Sequence, residues 1–147
     1  MSSQRPVVIV MIEDDEGHAR LIERHIRRAG VNNEIIPFVN GLEALDFLTG
    51  DKGPAAAADG AGYLILLDLN LPDVSGVEVL RQIKGNERTR RIPVIVLTTT
   101  DDKVEIERCY ALGCNVYITK PVNYDNFANA IRQLGLFLLV MQIPECK

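Results

Sequence analysis

Five short apolar runs, separated by segments of helical period, constrain this chain more than any other feature of it. The runs fall at 7–12, 34–39, 63–67, 93–97 and 115–119. Three of them, VVIVMI, YLILL and PVIVL, are apolar without alternation. Strands buried on both faces read this way, as in a parallel sheet covered by helices. Between them the period changes. Over 16–29, Ala19, Ile22, Ile26 and Ala29 make one face, while Arg20, Glu23, Arg24, Arg27 and Arg28 make the other. Glu16/Arg20 and Glu23/Arg27 are i,i+4 pairs in the favourable order. Gly30 stops this helix.

Further helices are predicted at 42–48, at 76–84 behind a Ser75 cap, behind Asp101 or Asp102 up to Gly113, and at 124–140. The order is (βα)5. Right-handed crossovers turn that order into a doubly wound, five-stranded parallel sheet with helices on both faces. Residues 51–62, DKGPAAAADGAG, read as a tolerated surface insertion. A length of 147 residues predicts one domain. It is placed at 7–141 with an extended C-terminal helix, between tails at 1–6 and 142–147, with no output domain.

The 47% hydrophobic content suffices for one core, and the most apolar stretch, 134–140, is far too short to span a membrane. The N-terminus lacks the apolar centre of a signal peptide. A net charge of −4 argues against a nucleic-acid partner. Cys109, Cys114 and Cys146 form no CxxC pair and read as reduced thiols of a cytoplasmic protein.

Ligands of doubly wound sheets bind beyond the carboxyl ends of the strands. Glu13 and Asp14 follow the first run, Asp68 the third, Thr98 ends the fourth, and Lys120 with Pro121 closes the fifth. Crowded carboxylates repel one another, and a hard divalent cation such as Mg²⁺ relieves the conflict. Asp68 is then a candidate nucleophile toward phosphorus, with Lys120 and Thr98 to meet the charge on the phosphoryl oxygens. Each element alone is an ordinary cap, turn or solvated loop. The signal lies in their occurring together, in this order, in one frame.

These segments resemble the receiver domains of two-component response regulators. IVMIEDDEGHARLI is similar to the family's acidic pair, LILLDLNLPDVSG to its phosphoacceptor motif, VIVLTTT to its hydroxyl-bearing strand end and VYITKPV to its lysine motif. The resemblance implies a flavodoxin-like fold and a Mg²⁺-dependent switch, phosphorylated by a sensor histidine kinase. It implies Asp68 as phosphoacceptor, and Asp14 as a direct metal ligand with Glu13 acting through water. The Asn70 carbonyl would also face the metal. Lys120 would contact the phosphoryl group, Thr98 and Tyr117 would be switch residues, and the Lys120–Pro121 bond would be cis. Ser75-Gly76 stands where Asp-Gly is common, and Thr99 where a small residue is usual. DFLTG, TRRIPVIVLTTT and LGLFLLV resemble short stand-alone receivers paired with phytochrome-type histidine kinases, which implies a place in bacteriophytochrome signalling.

Two other classes fit less well. A haloacid-dehalogenase-like phosphatase needs a second Asp two residues after the nucleophile, where Asn70 stands. A nucleotide-binding module needs a glycine fingerprint after the first strand, which is missing. His18 and His25 lie seven apart and read as a partly exposed helix face, and Asp15 reads as the cap of that helix. Leu136, Phe137, Leu139 and Val140 lie off the face that covers the sheet and predict a homodimer through the last helix.

Overall fold

The computed structural model describes residues 7–28, 30–50 and 62–133. The 51–61 segment and the expected dimer residues Leu136, Phe137, Leu139 and Val140 lie outside the described residues, as do both expected tails.

Strands β1 (Val8–Ile12), β2 (Ile35–Phe38), β3 (Tyr63–Asp68), β4 (Val94–Thr98) and β5 (Val116–Thr119) alternate with five helices. These are α1 (Glu16–Arg28), α2 (Gly41–Thr49), α3 (Gly76–Gly85), α4 (Lys103–Leu112) and α5 (Tyr124–Gln133). All strand pairs are parallel, in the order β2-β1-β3-β4-β5. Pro37 sits on β2, at the sheet's edge, where a residue without an N–H is tolerated.

The absence of alternation in the apolar runs has a direct cause. Ile9, Met11, Leu64, Leu66, Ile95 and Leu97 face a core completed by Ile22 and Ile26 of α1 and Phe127 and Ala130 of α5. Val10, Ile12, Ile65, Leu67, Val94 and Val96 face a second core with Leu48 of α2, Leu80 of α3 and Cys109 of α4. Successive side chains point to opposite faces, and both faces are covered, so every position must be apolar.

Local chemistry fixes the helix ends. Ser75 caps α3 by accepting from the N–H of Glu78, and Asp102, of the two candidates, caps α4 through the N–H of Val104. Gly113 ends α4 with φ of 112°, a left-handed conformation open to glycine at little cost. The Lys120–Pro121 bond is cis.

Register brings the strand ends level. Ile12 pairs with both Phe38 and Leu67, Asp68 with Leu97, and Thr98 with Thr119. The residues just past these pairs therefore share one edge. Two bonds carry the ladder one residue further: Glu13 N–H donates to Phe38 O at 3.0 Å, and Lys120 N–H to Thr98 O at 2.7 Å.

Gly76 lets α3 approach this edge. A Cβ there would lie 2.4 Å from the Asp68 carbonyl oxygen and 2.5 Å from the Leu69 Cα. Both are backbone atoms, so neither can turn away. Gly76→Ala is expected to lower stability by about 2–3 kcal/mol, the range of an overpacked site. Gly85→Ala, at a position with open space around it, is expected to be neutral or stabilising by up to about 1 kcal/mol. Urea unfolding of the two variants checks the contrast.

Candidate functional site

Glu13, Asp14 and Asp68 each bring a carboxylate oxygen within 4.8 Å of the others. Glu13 and Asp68 are 3% exposed, whereas Asp14 is open to solvent. Lys120 reaches into the cluster from the end of β5. Its Nζ donates to Glu13 Oε1 at 2.6 Å and lies 3.6 Å from Asp68 Oδ1. Only 8% of the Lys120 side chain is exposed, so the pair sits in a medium that strengthens both attraction and repulsion.

Glu13 is held on both sides. Oε1 accepts from Lys120 and Oε2 accepts from the Asp15 N–H at 3.2 Å. Asp15 in turn caps α1, as expected, through the His18 N–H at 2.9 Å. That bond, above all, draws the Asp15 carboxyl below its ordinary range.

Asp68 has the opposite surroundings. Its Oδ1 is buried and accepts no hydrogen bond. Burial first, and then the Glu13 carboxylate, raise its pKa from 3.8 to about 6, against the pull of Lys120 and the Asn70 backbone N–H. A buried carboxylate oxygen without a hydrogen-bond donor is unusual, and with Lys120 3.6 Å away it leaves a place for a further positive partner. An all-oxygen donor set with waters and substrate oxygens to complete it suits a hard divalent cation. The site's residues therefore fit such an ion. Asn70 joins Asp14 in lining an open groove of about 500 Å³ alongside.

The two expected switch residues are linked through a third. Thr98 is fully buried, and its Oγ1 accepts from the Thr100 N–H at 3.4 Å. The Tyr117 hydroxyl donates to the Thr100 carbonyl at 2.9 Å. Thr100 is thus gripped from both directions at the loop leading into α4. Thr99 is exposed and lines a cavity with Lys120.

A family model described as "Response regulator receiver domain" matches residues 9–132. The chain belongs to that family. This receiver is 36% identical over 137 residues to the response regulator Rcp1 of Synechocystis sp., a match spanning 93% of this chain and 92% of Rcp1. A solved receiver domain from Rhodospirillum rubrum is 65% identical, with TM-score 0.75, over 96% of this chain and 99% of that one. The bacteriophytochrome response regulator RtBRR is 36% identical with TM-score 0.78, over 97% and 85%. Rcp1 has been solved in an Mn²⁺-bound form, to which this chain is 34% identical with TM-score 0.70, over 95% and 100%. In this chain Glu13, Asp14 and Asp68 form the cluster that could hold a metal ion. Among the described residues, no helix is long and apolar enough to cross a membrane.

Two residues of this receiver's site escape the sequence reading. His18, read as part of an exposed helix face, brings its Nδ1 to 3.2 Å from Lys120 Nζ. Its position in the first turn after the acidic pair is the signal that could have flagged it. Asp73 accepts from the N–H groups of Gly41 and Leu42, each at 2.9 Å, and so caps α2 from a different loop. Desolvation opposes its ionisation, but its backbone donors outweigh that and hold the carboxyl below its ordinary range. Nothing local in PDVSG announces that bond.

The Asp68 environment sets a pH dependence. Its folded pKa lies above its ordinary 3.8, so the native state binds the proton more tightly than the unfolded chain. That stabilisation is complete below the unfolded value and is lost as pH rises through about 6. In metal-free buffer, Asp68→Asn is expected to gain on the wild type by about 1–3 kcal/mol between pH 5 and 7. Saturating Mg²⁺ at pH 7 should shrink the gap. Urea unfolding with and without chelator checks both statements.

Proposed function

We propose that this receiver is a phosphorylation switch: Asp68 accepts a phosphoryl group from a phosphohistidine of a sensor histidine kinase in a Mg²⁺-dependent reaction. The observation that carries the proposal is Asp68 Oδ1, buried without a hydrogen-bond donor, 3.6 Å from Lys120 Nζ and beside the acidic pair. An Asp68 carboxylate oxygen attacks phosphorus, a P–O bond forms, and the P–N bond to the donor imidazole breaks. The product on Asp68 is an acyl phosphate. Mg²⁺ at the acidic set supplies charge neutralisation for the nucleophile and the phosphoryl oxygens. Lys120 meets a phosphoryl oxygen with an N–H. Thr98 turns its hydroxyl toward the new group, which releases the Thr100 N–H and loosens the loop that Tyr117 holds.

Asp14 is the direct metal ligand in this reading and Glu13 acts through water. Its support is that Lys120 and the Asp15 N–H already engage both Glu13 oxygens, while Asp14 is exposed. The likeness to RtBRR supports a phytochrome-type kinase as the phosphodonor and light as the stimulus.

With Mg²⁺ and acetyl phosphate, the wild type is expected to gain one hydroxylamine-sensitive phosphoryl group, and Asp68→Asn none. Undiminished labelling of that variant, read by intact-protein mass, would falsify the assignment. For the metal, Asp14→Ala should weaken Mg²⁺ binding tenfold or more, roughly 1.4 kcal/mol or above, and Glu13→Ala should weaken it less. Equal losses in a calorimetric titration would contradict the ranking.

A further inference from the structure

Lys120 has three N–H donors and no acceptor. One N–H goes to Glu13 Oε1 at 2.6 Å. Asp68 Oδ1 lies 3.6 Å off, in reach of a second only through a shift or an intervening oxygen. The remaining direction ends at His18 Nδ1, 3.2 Å away. An ammonium cannot accept, so a hydrogen bond here makes the imidazole nitrogen the acceptor, which requires the ring's proton to sit on Nε2. The same Nδ1 lies 3.9 Å from Glu13 Oε2, beyond hydrogen-bond reach. The shorter contact therefore decides the role.

The ring is carried by the same turn that holds Glu13. His18 N–H donates to Asp15 Oδ1, and Asp15 N–H donates to Glu13 Oε2. The two acceptors of the Lys120 ammonium thus belong to one short, internally bonded segment at the start of α1. Two of its three N–H vectors are fixed by that segment. The third is left toward Asp68.

We propose that His18 is a positioning residue for phosphoryl transfer, which fixes the Lys120 ammonium so that its remaining N–H faces the phosphoryl group on Asp68. This rests on the phosphoacceptor reading given above. His18 acts through Lys120, its hydrogen-bond partner, rather than on Asp68 directly. Without the imidazole the ammonium keeps Glu13 and the 3.6 Å ion pair with Asp68 but loses its second hydrogen-bond acceptor, so the N–H that meets the phosphoryl group in the transition state loses its aim. His18 is half exposed, at 47% of its side chain, which keeps the effect modest. A loss of roughly threefold to tenfold in maximal rate corresponds to one ordinary hydrogen bond.

The test compares His18→Phe with His18→Gln. A cavity of about 260 Å³ beside His18, walled by Leu21, Ile22, Pro121 and Val122, has room for a phenyl ring, so the first variant deletes the acceptor without displacing the helix. The second retains an acceptor in its amide oxygen. Phosphorylation is followed over a range of acetyl phosphate concentrations at saturating Mg²⁺. His18→Phe is expected to lower the maximal rate while leaving the half-saturating concentration and the Mg²⁺ affinity within about twofold of wild type. His18→Gln should recover most of the rate. Separately, nitrogen NMR of the unphosphorylated wild type should show His18 with its proton on Nε2, and the Nδ1 signal should move in Lys120→Met. A wild-type rate in His18→Phe, an equal loss in both variants, or an Nδ1 signal indifferent to Lys120 would each overturn the role. A wild type that accepts no phosphoryl group, even with the NMR contact intact, would overturn the phosphoacceptor reading and take the positioning role with it.

Discussion

Three carboxylates, of Glu13, Asp14 and Asp68, face one ammonium, of Lys120, where the strands of a buried sheet end. The formal imbalance is two negative charges. Two of the three carboxylates are nearly buried, where like charges are screened least. Glu13 escapes part of the repulsion by binding Lys120 and the start of α1. Asp68 accepts no such hydrogen bond at Oδ1, and burial first, then the Glu13 carboxylate, raise its pKa. The imbalance makes the site receptive to a divalent cation.

Such crowding needs a scaffold that can hold it. A parallel sheet sends the carboxyl ends of all its strands the same way, and here the register aligns them to within a residue. Its interior is two fully apolar cores, one on each face. Apolar burial of that extent is the dominant favourable term in folding. It offsets the cost of acidic residues placed side by side at the rim. Gly76 adds a close approach of α3 to the backbone that carries Asp68, so the main chain of Asp68 is boxed in by sheet and helix together.

Much of this is visible in the order of residues. VVIVMI, YLILL and PVIVL announce strands buried on two faces because no polar residue interrupts them. Once the strands are placed, Glu13, Asp14, Asp68, Thr98 and Lys120 fall at their ends by counting. Ser75 and Gly113 mark helix boundaries by local chemistry alone. What stays hidden depends on contacts across the chain. His18 and Lys120 are 102 residues apart, and only the packing of α1 beside the end of β5 brings them together. Between Asp101 and Asp102, the choice of cap rests on a side-chain direction that spacing does not encode. Tyr117 could be placed on β5 from its neighbours, but not its hydroxyl on Thr100.

The loops beyond β3 and β4 are secured differently. Between Asp68 and α3, the backbone closes on itself through Gly76 N–H to Leu69 O, and Asp73 grips the first two amides of α2. Between Thr98 and α4, Thr100 is tied within its own loop by a 3.4 Å contact to Thr98 and by the Asp102 N–H on its Oγ1 at 3.2 Å. Among the bonds of the described residues, the Tyr117 hydroxyl alone ties it to the neighbouring strand. The edge therefore has one clamped margin and one lightly latched margin. A disturbance centred on Asp68 would meet more bonds between separate elements toward α2 and α3 than toward α4 and β5. Mechanical asymmetry of this sort gives a switch its direction: the clamped side serves as a frame of reference, and only the latched side has anything to report.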